Sequence, residues 1–450
     1  MKLFGSILFA SASLLIGQAA EDSKPVEAAH TVAITTDYIN RLVAEARTNH
    51  PALKAADSRV RSALLNAQAV RTWDDPMALF GGSVYSDHGF KSSEDGNLAY
   101  GVEQKLPLWG RPKLARQVAE TESSMREAEA NYRAHQLRSD MTKALMAAAL
   151  AGTVVEIGVQ DVAWLAATAK ATDNKYRAGQ AVVADTLQIQ NEAAKRNDAL
   201  LTDRRRLARE HFTLNRLLNR EAGSVWPRLE LPPVAPAIPL SNKLLALALV
   251  NEPKLKVLEQ EIQHAGASAE LTRTMRFPDV SLGVEGRQYS GDGGFRSGMF
   301  TLRFSLPWAN GDKYRKDYAR DKEKQNSAGQ EREDQILMVR EELHHLAVGI
   351  EAMHREALLY KDEITTRASQ ALTSRLSEWE SGRGTFRDVL DARRMLLESQ
   401  LMSARATAGQ QQMLAEMLLW TGLENLEALL PLADEPPLLR DHDAAHESKP

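Results

Sequence analysis

Phe300-Thr301-Leu302-Arg303-Phe304-Ser305-Leu306, just ahead of Pro307, sets an apolar residue against a small or polar one at every second place. In an extended chain successive side chains point to opposite faces, so this period of two predicts a strand with one greasy and one polar face. Val280-Ser281-Leu282-Gly283-Val284 reads the same way, and in the first half Leu98, Tyr100, Val102 and Leu106 alternate with Ala99, Gly101, Glu103 and Lys105. The stretches between paired runs, Asp87 to Gly96 and Ser290 to Ser297, are rich in Gly, Ser and Asp, which makes each pair a hairpin. Gly291-Asp292-Gly293-Gly294 is loop chemistry of this kind rather than a phosphate cradle. Each strand runs about 9 to 11 residues, the length a tilted strand needs to cross a bilayer.

Working outward from these hairpins, the chain is written twice, with an offset of roughly 200 residues. Asn49-His50-Pro51-Ala52-Leu53-Lys54 returns as Asn251-Glu252-Pro253-Lys254-Leu255-Lys256. Asp75-Pro76 is echoed by Phe277-Pro278, and Lys105-Leu106-Pro107-Leu108-Trp109-Gly110 by Ser305-Leu306-Pro307-Trp308-Ala309-Asn310-Gly311. Tyr176-Arg177-Ala178-Gly179 with Asp185-Thr186-Leu187 matches Trp379-Glu380-Ser381-Gly382 with Asp388-Val389-Leu390. Four ordered echoes mean duplication.

Ahead of each hairpin lies a helical segment, about Thr36 to Trp73 and Ser241 to Met275, interrupted by Pro51 or Pro253. After each comes a much longer one. From Pro112, well placed to open a helix, to about Tyr176 there is no proline, and such a helix would be on the order of 100 Å long. A turn at Gly179 sends back a helix from about Asp185 to Leu218, and Gly382 does the same before about Asp388 to Leu419. Trp226 to Pro239 carries five prolines and reads as an extended connector. The organisation is therefore a 1–20 signal peptide, a 21–34 N-terminal segment, a 35–221 first repeat, a 222–240 linker, a 241–430 second repeat and a 431–450 loosely ordered tail.

Bulk properties exclude several function classes. Basic and acidic residues nearly cancel, 56 against 60, so no positive field gathers nucleic acid. Lys2, an apolar run from Leu3 to Ile16 and small residues from Gly17 to Ala20 form an export signal with cleavage near Ala19 or Ala20. That run is shorter than the roughly 20 residues of a spanning helix, and no later stretch reads as long and apolar enough to span. With no cysteine, disulfides, thiol catalysis and a lipoprotein anchor are excluded. No nucleophile elbow, phosphate loop, metal-binding His-Glu helix or dinucleotide fingerprint is present, so neither an enzyme nor a cofactor is expected. His344 and His345 are adjacent and point about 100° apart on a helix, and His354 is too distant to join them, so no metal site is expected either.

Membrane entry must then be through a closed barrel, the one alternative to helices that satisfies its backbone in lipid. Four strands cannot close, since a barrel needs about eight, so several chains must contribute. Glu103, Lys105, Glu285, Arg287 and Arg303 would line a wet lumen, with aromatic and aliphatic faces toward lipid.

This order of elements, together with Gly382-Arg383-Gly384-Thr385-Phe386-Arg387-Asp388-Val389-Leu390-Asp391-Ala392, closely resembles the TolC family of outer-membrane efflux proteins over roughly Thr35 to Leu423. Glu103-Gln104-Lys105-Leu106-Pro107-Leu108-Trp109-Gly110-Arg111 is most similar to its heavy-metal branch, the CzcC and CusC type. The resemblance implies a mainly α chain with a membrane β-barrel portion: a homotrimer whose four strands per protomer make a twelve-stranded barrel over a long helical periplasmic tunnel. It implies a passive duct served by a periplasmic adaptor and an inner-membrane pump of the resistance-nodulation-division class. It also carries a periplasmic gate of acidic residues onto Asp388 and Asp391, which share a helix face, with Asp185 as the first-repeat counterpart and Gln188 at the second place. Three copies would crowd carboxylates, raising some of their pKa values and attracting cations; by position alone Asp388 is equally a helix N-terminal residue favoured by the dipole. The family's latching tyrosine and arginine fall on Trp379 and Gly384, with Arg383 or Arg387 as substitutes. Turns at Gly179, Gln180, Gly382, Gly384 and Thr385 fall where adaptor helices engage, though simple solvated turns explain them as well. Multidrug efflux or type I secretion suits the same architecture; a periplasmic coiled-coil structural or adaptor protein is the reading from another class.

Overall fold

The computed structural model describes residues 31–84, 96–179, 182–289, 293–436 and 438. The export signal, most of both hairpin loops, Gln180 and nearly all of the C-terminal tail lie outside the described residues.

Each repeat opens with a short helix pair broken at proline: α1 (Thr36–Asn49) and α2 (Pro51–Ala69), then α5 (Asn242–Asn251) and α6 (Pro253–Thr274). Proline at the first helical position loses no hydrogen bond there, so it starts the second helix of each pair while ending the first. Two strands follow, β2 (Met77–Val84) with β3 (Gly96–Lys105), and β5 (Val280–Tyr289) with β6 (Phe295–Phe304). They form one antiparallel sheet in the order β2-β3-β5-β6, so the two repeats meet at its centre and β2 and β6 are its edges.

Register sorts the side chains by face. Tyr100 faces Phe80 and Gly286, and Val102 faces Val284, which in turn faces Phe300, so Phe80, Tyr100, Val102, Val284 and Phe300 share one side. Phe80 is 81% exposed and Phe300 87%, a loss of about 1.5–3 kcal/mol per large apolar side chain if water covered them. The other side carries Glu103, Glu285, Arg287 and Arg303. Gly283 sits between Glu103 and Thr301, and a Cβ there would meet the Thr301 hydroxyl at 2.5 Å. That bare position lets Glu103 reach across β5 to pair with Arg303 on β6.

The helices are as long as the sequence reading requires. α3 (Arg111–Arg177) runs 67 residues without a break and returns as α4 (Val183–Leu218). The second repeat differs: α7 (Gly311–Leu358) passes through a π-helical turn at Leu359–Ile364 before α8 (Thr365–Glu380) and the return helix α9 (Phe386–Thr421). Helices α2, α3, α6 and α7 lie side by side near the sheet; farther away the neighbours are α4, α3, α9 and α8.

One expectation needs correction. One stretch within α3 is in fact long and apolar enough to cross a membrane by composition. Its inner face joins the core, where Met141, Leu145 and Ala149 of α3 are fully buried against Leu42, Val43, Leu214 and Leu218 of α1 and α4, while about two thirds of the stretch lies outside it. The proline-rich connector is extended and packs against the helices. β4 (Arg228–Glu230) pairs in parallel with β1 (Thr31–Ala33), and Trp226, Leu229 and Ile238 are buried. Buried Gln410 of α9 grips the connector at Ala235, donating to its carbonyl at 2.7 Å and accepting from its N–H at 3.0 Å. Gln411 donates to the Pro233 carbonyl at 3.0 Å. These bonds satisfy backbone groups that proline-rich chain cannot pair within itself. Leu432, at the start of the tail, is also buried in the second core.

Candidate functional site

The two helical hairpins turn at their far ends on glycines in the left-handed conformation, Gly179 (φ +74°) and Gly382 (φ +74°), where a Cβ would be strained. In the second turn Arg383 and Gly384 both donate from their backbone N–H to the Glu378 carbonyl, at 2.9 and 3.0 Å, closing α8. Gly384 passes so near Glu378 that an added Cβ would lie 3.0 Å from that side chain. Thr385 then caps α9: its hydroxyl donates to the Asp388 carboxylate at 2.7 Å and accepts from the Asp388 N–H at 3.3 Å. That hydroxyl, more than the nearby Arg375 and Arg387, holds the Asp388 carboxyl below the usual carboxylate range.

Asp391 lies one turn on and is bracketed by cations, with Arg394 at 3.0 Å and Arg387 at 3.8 Å. Both partners are largely exposed, so these pairs are worth about 0–1 kcal/mol each. Asp388 and Asp391 therefore share the exposed face near the second tip. Asp185 stands in the first turn of α4, and among the described residues no hydrogen bond or ion pair joins it to either aspartate. Among the described residues the Arg383 side chain reaches Ser381, at 3.2 Å.

Trp379 is not at the surface. It is 7% exposed, 5.4 Å from the Phe386 ring, with the Lys175 ammonium 4.1 Å from its centroid. Lys175 also donates to the carbonyls of Trp379 and Glu380, at 3.1 and 3.3 Å, so the end of the first outgoing helix clasps the end of the second. Trp379 is thus a packing residue of a clasp between hairpins.

Sequence reasoning missed a second tie. Asp161 of α3 is 3% exposed and accepts from Arg393 Nε at 2.7 Å, with Arg196 Nε of α4 at 3.4 Å. Gly158 leaves the room: a Cβ there would meet the Arg196 guanidinium at 2.8 Å. Arg394 joins the same region by pairing Glu192 at 2.8 Å. Asp161 does leave a signal, a lone acid in the apolar run Val159 to Leu165.

Among the described residues no three metal-ligating side chains converge. What the arrangement offers is a sheet greasy on one side and charged on the other, continued by parallel helical shafts. The sequence pattern of the outer membrane efflux protein family matches residues 42–220 and again 244–423. The chain belongs to this family. No curated protein matches it by sequence. Solved structures share its fold. CusC, described for its transmembrane channel formation, has a TM-score of 0.76 at 16% identity, covering 86% of this chain and 92% of that one. The outer-membrane channel OprN gives 0.75 at 17%, covering 85% and 89%. The CmeC outer membrane channel of Campylobacter jejuni gives 0.73 at 12%, covering 96% and 98%. As an outer membrane efflux protein the chain resides in the outer membrane, with its helical part in the periplasm.

Proposed function

We propose that three copies of this outer membrane efflux protein close a twelve-stranded barrel and form the passive exit duct of a tripartite efflux system. The observation that carries this reading is the four-stranded sheet whose edge strands β2 and β6 have no partner strand among the described residues. In lipid such open edges are prohibitively costly, and joining β6 of one copy to β2 of the next removes them all. The charged face then lines water and the Phe80 and Phe300 face meets acyl chains. Helices α2 and α7 near the sheet, and α4 and α8 toward the tips, are the corresponding edges of the helical wall.

In this reading Asp388, Asp391 and Asp185 form the periplasmic gate, and the turns at Gly179, Gln180, Gly382, Gly384 and Thr385 receive a periplasmic adaptor that links an inner-membrane pump. Trp379 and Gly384 replace the family's latch, and the Lys175 clasp and the Asp161–Arg393 tie supply closing contacts in its place. The cargo is proposed to be heavy-metal cations, on the strength of the Glu103–Arg111 stretch; multidrug or protein export is the competing use of the same duct.

Planar-bilayer recordings of the purified protein test the duct directly: discrete conductance steps are expected, and a protein that stays water-soluble and silent rejects it. Replacing Asp388 and Asp391 together by Asn is expected to lower cation selectivity, and an unchanged reversal potential removes them from the gate. Cells lacking the chain are expected to become sensitive to copper or zinc salts; sensitivity to organic drugs alone would reassign the cargo.

A further inference from the structure

Between α2, α3 and α6, where the end of α4 also arrives, lies a cleft of about 660 Å³. Its walls carry Arg59, Arg133, Arg216 and Lys254, none of which has an ion-pair partner among the described residues. A fifth cation, Arg126, is already matched by Glu122 at 3.8 Å and Glu129 at 3.2 Å. Asp140 and Glu261 are the remaining carboxylates, which leaves four unmatched cations against two.

A second, independent observation lies at the same place. His50 caps α2 by position, yet its side chain makes no capping bond, and its Nδ1 is buried with no partner. A buried nitrogen left unpaired costs roughly 1–3 kcal/mol, so it calls for a partner. Burial, then Arg216, hold the imidazole below its ordinary value, which disfavours its charged form and leaves it a hydrogen-bonding group rather than another charge. The site therefore presents several flexible cations, a neutral imidazole and room for a molecule larger than a single phosphate.

We propose that this cleft binds small polyanions bearing several carboxylates. Binding is a property of the folded chain alone. Only the further statement, that the cleft is an anion-binding station along the passage, rests on the duct reading. The charge pattern favours a multiply charged ligand, because the unpaired cations of the cleft outnumber its unpaired carboxylates by two.

Citrate is the probe. Calorimetric titration of the full processed protein in detergent at low ionic strength is expected to show one saturable site per protomer. Arg133→Gln and Arg216→Gln are each expected to weaken it about fivefold, and added salt to weaken it further. Arg204→Gln, on α4 but outside the cleft, is expected to leave affinity unchanged. Arg133 is exposed and unpartnered, so its variant is expected to fold; Arg59→Gln serves as a second variant with the same expectation. Absence of saturable binding, or unweakened binding by the Arg133→Gln/Arg216→Gln protein, overturns the proposal and leaves these cations to pair with acids of a second copy. Conductance of the same preparation separates the two readings: a protein that conducts without binding citrate rejects only this site, and one that binds citrate without conducting rejects only the duct.

Discussion

The first and second repeats share the order of broken helix pair, β-hairpin and long helical hairpin, but they do not do the same mechanical job. α3 is a single unbroken shaft, whereas its counterpart is split by the π-helical turn at Leu359–Ile364. Pro107 answers to Pro307 and Gly179 to Gly382, so the second outgoing segment holds a few residues more, and the π-turn takes up surplus length while the helix continues. Charged positions diverged as well. Glu103 and Arg303 occupy equivalent places and have become partners across β5. His50 and Glu252 are both helix caps, but only Glu252 makes the bond, to the Leu255 N–H. Duplication preserved topology, and the differences between copies are what bind one copy to the other.

That comparison can be broken most forcefully at Asp161, where the unbroken shaft holds both α4 and α9. Asp161→Ala strands the mostly buried guanidinium of Arg393 and leaves that of Arg196 with Asp203 alone, at 3.9 Å, and is expected to cost about 3–5 kcal/mol. Thermal melting of the detergent-solubilised protein measures this; a Tm within a degree of the parent would show the tie to be ornamental. Next in size is Gln410→Ala, which removes both bonds to Ala235 from a fully buried site and is expected to cost about 1–3 kcal/mol, with faster proteolysis in the connector as a second readout.

A smaller and pH-dependent effect is expected within the second repeat. Arg320 first, then Thr272 and Lys324, hold the Asp321 carboxyl well below its ordinary value at the α6–α7 contact. The folded pKa is depressed, so the stabilisation is complete above the unfolded value near 3.9 and is lost as pH falls through the folded one. Asp321→Asn is therefore expected to lower stability by about 1 kcal/mol at pH 7 and to differ less from the parent in strong acid. Equal melting offsets at both pH values would contradict this account. The smallest expected effect is that of Thr385→Ala, which removes the α9 cap for about 0.5–1 kcal/mol and lets the Asp388 pKa return toward its ordinary value, as carboxylate NMR would detect.

Local sequence was sufficient for the four strands of the large sheet, the two proline-started helices and the glycine turns, but not for the short β1–β4 pair, whose strands are far apart along the chain. Alternation, a fixed φ and a left-handed glycine are properties of neighbouring residues, and they put boundaries within a few positions of Arg111, Val183, Phe386 and Val280. The acids at 388 and 391 were legible as sharing a face for the same reason. The roles of Trp379 and Asp161 were not. Trp379 gave way to packing against Phe386 and Lys175, and Asp161 found its cations on two helices far along the chain.

By itself, then, the sequence determined the duplication, the periodicities and the lengths, because each depends on residues a few positions apart. Tertiary structure alone decided that one face of the apolar stretch of α3 joins the core, that the proline connector is gripped by Gln410 and Gln411, and that four unmatched cations converge on one cleft. Those outcomes turn on which surfaces meet, and a one-dimensional pattern carries no record of its distant neighbours.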